Sequence, residues 1–207
     1  MSTSGSRGVQ LAMKHGVDRV IALIALIPLL PLFAAIALLI KREDRGPALF
    51  VAERAGTGAR PFRVYKFRSM IPDADAYLDG DGRPVKPRVT RVGKVLRRWS
   101  LDELPQLVNV LKGEMALVGP RPVPLEYAAR MNPSQRQRFE MRPGITGLAQ
   151  VSGRHSLTWS QRIDLDVHYV RHYSLVMDLG ILARTLTTVL DSNTLIERGD
   201  PRKVDLG

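Results

Sequence analysis

The chain has 207 residues, room for one domain or for a domain and an anchor, and hydrophobic residues make up 44% of it. Lys and Arg outnumber Asp and Glu by 31 to 20, a formal net charge of +11 that suits a polyanionic partner: nucleic acid, anionic lipid or a phosphorylated substrate. With no cysteine, disulfides, thiolate metal sites and a Cys nucleophile are all excluded.

Val20 to Ile40 holds no charged residue. As a helix this run extends about 31 Å, roughly the hydrocarbon thickness of a bilayer. It is too long for the core of a signal peptide, and Lys41-Arg42-Glu43-Asp44 follows where a small-residue cleavage site would stand. Pro28 and Pro31 lie inside it, and each removes a backbone donor and tends to kink a helix. Lys14 and Arg19 precede the run and Lys41, Arg42 and Arg45 follow it; positive flanks favour the cytoplasmic side. Two forms therefore stay open: a helix that spans, and one that enters, turns at the prolines and leaves on the same side.

Phe50-Val51 and Phe62 to Tyr65 read as short strands around a turn at Gly56-Thr57-Gly58. Ile71 to Thr90 reads as a mobile polar surface loop. Its Asp73, Asp75, Asp79 and Asp81 lack the later glutamate of an EF-hand loop, so solvation explains them better than calcium. Arg91 to Arg98 and Asp102 to Leu111 read as two helices with a break at Trp99-Ser100. Ala116 to Val118 is a short strand running into Gly119-Pro120-Arg121-Pro122. Leu125 to Met131 and Ser134 to Met141 read as helices, ended by Arg142-Pro143-Gly144. Trp159 to Tyr173 and Leu175 to Leu190 show helical apolar spacing; the last, with Met177, Ile181, Leu182, Leu186 and Leu190, suits the core or a membrane surface. The fold class is thus α+β, mainly helical with a few short strands. An N-terminal segment and anchor occupy 1–41, and a domain ending in amphipathic helices occupies 42–207.

Ser100-Leu101-Asp102-Glu103 is the first site candidate. Ser followed three positions later by Glu is the spacing of a capping box, with Ser100 as the cap and Glu103 reaching back. The same geometry permits chemistry. A carboxylate in a first helical turn is held ionised by the helix end, and a fixed Asp can attack phosphorus or hold a divalent metal that carries a diphosphate. The neighbouring Glu could accept a proton. Arg97 and Arg98 stand one turn upstream. Gly119-Pro120-Arg121-Pro122 fixes an arginine between prolines, Arg142 to Gly147 reads as a tight turn rich in backbone donors, and Gln150-Val151-Ser152-Gly153-Arg154 ends in another arginine. Several rigidly presented arginines suit a diphosphate.

These residues in this order resemble the bacterial sugar transferases, the small monotopic phosphoglycosyl transferases. The likeness runs from about Lys14 to Leu190. It includes the Pro-bent anchor, Tyr65-Lys66-Phe67-Arg68-Ser69-Met70, Thr90-Arg91-Val92-Gly93-Lys94, Ser100 to Leu107, Asn109 to Gly113, Val118 to Pro122, Arg142 to Gly147, Gln150 to Arg154 and Asp164 to Val167. Departures are Ala52 where Gln is frequent, Lys86 for Asp, Leu148 for an aromatic and His155 for Asn; none touches Asp102 or Glu103.

The resemblance implies a re-entrant membrane helix broken near Pro31, with Pro28 beside it. It places a membrane-associated catalytic domain on the cytoplasmic face of the bacterial inner membrane. Asp102 would be the nucleophile that takes a phosphosugar from a UDP-sugar, releases UMP and passes the phosphosugar to polyprenyl (undecaprenyl) phosphate, the first membrane step of glycan assembly. Glu103 would be its partner, and Mg²⁺ would assist, contacted by Asp102. Lys66, Arg97, Pro120, Arg121, Gln150 and Arg154 are the candidate substrate contacts. Membrane lipid is an expected partner and a homo-oligomer is compatible. Nucleic acid is not expected: it gives no reason for the anchor, and exposed aromatics for stacking are few. A basic membrane-binding protein without chemistry would explain the charge and the anchor, but not Asp102-Glu103 beside rigid arginines.

Overall fold

The computed structural model describes residues 3–79, 85–153 and 157–190. Helix α1 (Thr3–Asp44) is followed by a hairpin of β1 (Leu49–Ala55) and β2 (Pro61–Phe67), then α2 (Arg91–Arg98), α3 (Gln106–Lys112) and β3 (Ala116–Val118). Next come α4 (Leu125–Arg130), α5 (Pro133–Arg136), β4 (Gly144–Thr146), α6 (Leu148–Val151), α7 (Trp159–Arg171) and α8 (Leu175–Leu190). The fold is α+β and mainly helical.

α1 is far longer than its apolar run, and it is the only described helix long and apolar enough to cross a membrane. Pro28 and Pro31 both lie inside it, and the helix is unbroken at either. Both prolines are exposed. A proline inside a helix removes one backbone donor and tends to bend it. Leu11, Lys14, Asp18, Ala22, Leu29, Phe33, Ile36 and Ile40 are buried or half-buried, a stripe in steps of three, four and seven that keeps one face of the helix on the rest of the chain. Ala22 packs with Leu107, Val110 and Met115, and Ile36 and Ile40 pack with Phe67 and Leu96. The opposite face leaves Ile24, Ile27, Leu30 and Leu39 exposed.

The ends of α1 are pinned by charge. Lys14 Nζ lies 2.5 Å from Asp178 of α8 and 3.4 Å from Asp18. At the far end Arg68 forks onto Asp44, and its Nε donates to the Pro47 carbonyl at 2.6 Å. Glu43 accepts from the backbone N–H of Arg91 and Val92, at the start of α2.

β1 and β2 pair antiparallel from Leu49↔Phe67 to Ala55↔Pro61. β3 and β4 form a second, parallel pair, Ala116↔Gly144 and Val118↔Thr146. The expectation of a tight turn over Arg142 to Gly147 is corrected here: its centre is this strand. Gly119 and Gly144 allow the pairing, because a Cβ on either would overlap the backbone of the other. The helix expected from Ser134 to Met141 is instead the short α5 running into a 3-10 turn over Gln137–Glu140. Trp159–Arg171 and Leu175–Leu190 match their apolar spacing. The 71–90 loop holds a 3-10 turn at Ala74–Tyr77, and Asp81 lies outside the described residues.

Candidate active site

The segment Lys66 to Ser69 shows how the sequence builds the site. Alternate side chains of a strand point to opposite faces. Lys66 reaches Glu103 at 2.9 Å, Phe67 packs edge-on to Phe33 of α1, and Arg68 grips Asp44. Ser69, just past the strand, accepts from Arg97 Nε at 2.8 Å. Gly93 lets α2 come this close, since a Cβ there would overlap the Ser69 backbone. Asn109, fully buried, ties α3 to β2 by accepting from the Tyr65 N–H at 3.1 Å and donating to the Arg63 carbonyl at 2.6 Å. These ties set the residues before α3 against β2.

Asp102 and Glu103 lie in a 3-10 turn, Leu101–Glu103, ahead of α3. The expected helix from Asp102 to Leu111 therefore begins later, at Gln106. The capping box is not formed either: Ser100 is left-handed, with φ of 53°, and its side chain makes no cap. That backbone conformation turns the chain out of α2, and it leaves Glu103 free to point away from Ser100. Glu103 Oε1 receives Lys66 at 2.9 Å and Arg121 Nη2 at 2.6 Å, while Arg121 Nη1 lies 3.4 Å from Oε2. Burial alone would raise the Glu103 carboxyl, but Arg121 and Lys66 outweigh it and hold it well below the usual glutamate range. Burial lowers Lys66, against the pull of Glu103. Arg121 is raised, chiefly by Glu103.

Asp102 is only 2% exposed, and its charge is felt by both Lys66 and Arg121. In this conformation the carboxylate is closed off from solvent. Arg121, 44% exposed, is the most open member of the group.

Behind Arg121 stands a pair that the sequence did not single out. Arg138 Nη2 donates to the Arg121 carbonyl at 2.7 Å and pairs with Asp166, both side chains being almost wholly buried. Asp166 sits in the Asp164 to Val167 motif, which was the available signal. Pro120 is buried next to Arg121, and its carbonyl accepts from the Gly144 N–H at 2.9 Å. Thus Lys66, Glu103 and Arg121 are brought together beside Asp102. Arg97 is held on Ser69 one turn upstream, and Gln150 donates weakly to the Ile145 carbonyl at 3.5 Å. Arg154 lies outside the described residues.

No group of three His, Asp or Glu side chains suited to a metal occurs among the described residues. A magnesium ion needs less from the protein: it keeps several waters and takes one or two carboxylates plus substrate phosphates. Asp102 fits that demand, whereas Glu103 is committed to two cations.

Asp102 and Glu103 thus lie together under the charges of Lys66 and Arg121. The chain belongs to the bacterial sugar transferase family, whose sequence model matches residues 9–192, and it is accordingly a transferase. It is 45% identical over 166 residues to a UDP-glucose:undecaprenyl-phosphate glucose-1-phosphate transferase of Caulobacter vibrioides, covering 76% of this chain and 62% of the relative. It is 40% identical over 184 residues to a UDP-N-acetylgalactosamine-undecaprenyl-phosphate N-acetylgalactosaminephosphotransferase of Aeromonas hydrophila, covering 86% of this chain and 44% of the relative. With the exopolysaccharide production protein ExoY of Sinorhizobium fredii it shares 38% identity over 202 residues, 90% of this chain and 89% of the relative. The chain thus spans less than two thirds of the first two of these relatives.

Proposed function

We propose that the chain transfers a sugar phosphate from a UDP-sugar to polyprenyl phosphate, through a covalent intermediate on Asp102. The observation that carries the reading is one carboxylate, Glu103, gripped by Lys66 and Arg121 next to a second, enclosed carboxylate. The names of the Caulobacter and Aeromonas relatives support the donor and acceptor classes. They name different sugars, so the sugar is left to experiment.

In the first displacement an Asp102 oxygen bonds to the phosphorus that carries the sugar. The bond from that phosphorus to the bridging oxygen breaks, and UMP leaves. In the second, a phosphate oxygen of the acceptor bonds to the same phosphorus and the Asp102 carboxylate departs, giving a polyprenyl diphosphate sugar. A phosphate monoester has a second pKa of about 6 and is largely dianionic at neutral pH, so it attacks without surrendering a proton. Glu103, held well below its usual range, is a poor proton acceptor and acts instead by fixing Lys66 and Arg121 where phosphoryl charge develops. Asp102 would be the residue to hold Mg²⁺, which would supply charge stabilisation for the phosphate groups when bound.

The exposed apolar face of α1 lies in the membrane, with both ends of the helix on the domain side. The contacts of Lys14 and Asp44 with the same domain support this over a spanning helix. The basic flanks favour the cytoplasmic face of the inner membrane. The test is UMP release from UDP-sugars with polyprenyl phosphate and Mg²⁺, with mass spectrometry of enzyme incubated with the donor alone. A phosphosugar adduct on Asp102 is expected. UMP formation without any adduct would exclude the covalent route, and no UMP with any UDP-sugar would exclude the function.

A further inference from the structure

In an antiparallel pair, residues directly opposite share a face, as does every second residue along each strand. The register pairs Phe50 with Lys66, Ala52 with Val64 and Arg54 with Phe62. One face of the hairpin therefore reads Phe50, Ala52, Arg54 along β1, and Lys66 marks it as the face turned to Glu103.

The two ends of that face differ in chemistry. Phe50 is 50% exposed, directly across from Lys66, at the end where the chain has just left α1 and its apolar outer face. Opposed side chains in such a pair stand about 4.5–5.5 Å apart at Cβ, so the ring borders the Lys66 stem. Arg54 lies four residues on. The Ala55 N–H donates to the Val123 carbonyl at 2.9 Å, which brings this end of β1 against the Arg121 loop. Ala55, Gly56 and Arg121 line one small recess there. Burial and the nearby Arg121 lower Arg54, with Glu126 and Tyr127 pulling the other way, and burial and Arg121 lower Arg162 of α7. Cations crowd one end, and an uncovered aromatic ring occupies the other.

We infer that this face sorts the two substrates: the first isoprene units of the acceptor lie on Phe50, and the nucleotide phosphate of the donor lies at Arg54 and Arg121. The assignment rests on the proposed transfer between a UDP-sugar and polyprenyl phosphate. An isoprenoid chain is apolar and enters from the membrane side, so the ring nearest the anchor suits it. From Phe50 its phosphate reaches Lys66 and the acid pair. A diphosphate is an anion that eases the repulsion of Arg121 with Arg54 on one side and with Arg162 on the other.

The test is steady-state kinetics of UMP release by the full-length enzyme. Two acceptors are compared: undecaprenyl phosphate in detergent, and a short, water-soluble isoprenoid phosphate without lipid. Phe50→Ser should raise the KM for both acceptors roughly tenfold, the loss expected from uncovering one aromatic contact, with the donor KM unchanged. Phe50→Leu should restore most of it. Arg54→Gln should raise the donor KM by a similar factor and leave the acceptor KM alone, with Arg54→Lys intermediate. A Phe50→Ser effect seen only with the long acceptor would mean contact with bulk lipid and overturn the assignment. So would equal shifts in both substrates' KM, or none. Wild-type enzyme that forms no UMP would instead remove the functional reading beneath it.

Discussion

Two charge clusters in this chain are balanced in different ways. At the acid pair, two carboxylates, Asp102 and Glu103, face two cations, Lys66 and Arg121, with Glu103 in direct contact with both. Under α1, one cation, Lys14, faces two carboxylates, Asp18 and Asp178. The second cluster completes itself. The Leu117 N–H donates to Asp18 at 3.3 Å, the Tyr169 hydroxyl donates to Asp178 at 2.7 Å, and Lys14 is 3% exposed. Neutral donors from the chain absorb its surplus of negative charge. The first cluster is balanced by side chains alone, and Arg121, 44% exposed, is its half-open door. A cluster closed by neutral donors is architecture, and one that keeps a cation open to solvent can receive an anion.

The contrast can be broken most severely at Asp102. Asp102→Asn should lower turnover at least about a thousandfold while leaving the melting temperature and membrane association near wild type, because the change removes a nucleophile and not a packing element. Activity within tenfold of wild type would end its assigned role. At the satisfied cluster the effect should fall on folding. Lys14→Met leaves two acids without their cation and should cost about 3–5 kcal/mol in denaturant unfolding, with Asp178→Asn added to it recovering a good part. The catalytic constants of the surviving folded enzyme should barely move.

Glu103→Gln should show the reverse partition. It keeps the shape but removes the charge that holds two cations, so kcat should fall roughly tenfold to a hundredfold with a smaller loss of stability. The smallest effect is in pH. A carboxyl whose folded pKa is depressed stabilises the fold fully above its unfolded pKa and loses that contribution as pH falls through the folded value. For Glu103 the two limits are the ordinary 4.5 and a value well below it. The Tm gap between wild type and Glu103→Gln should therefore stay constant from neutral pH down to about 4.5 and close only below that. A gap closing between pH 7 and 5 would mean that Glu103 is not held by its two cations.

Much of this contrast is legible in the sequence, for reasons particular to each residue. α8 carries its apolar residues at helical spacing and is found with the expected bounds. The hairpin was readable from two apolar runs around Gly56-Thr57-Gly58. β3 and β4 are three residues each and joined through two helices, so no local pattern announces that Gly144 to Thr146 pairs with Ala116 to Val118. Ser100 misled because its spacing to Glu103 is that of a cap, while tertiary charge from Lys66 and Arg121 outbid the local hydrogen bond. The Arg138–Asp166 pair behind Arg121 spans 28 residues and became visible only once α7 was placed.

The docking of α1 also sets a schedule. Lys14 and Asp178 are separated by 164 residues, so the ribosome makes one long before the other. At about 5–20 residues per second the wait is on the order of ten seconds. During it, Lys14 has Asp18 of its own helix but not Asp178, and the incomplete cluster stays in contact with water. Closure of the fold therefore waits on α8, the helix that latches α1.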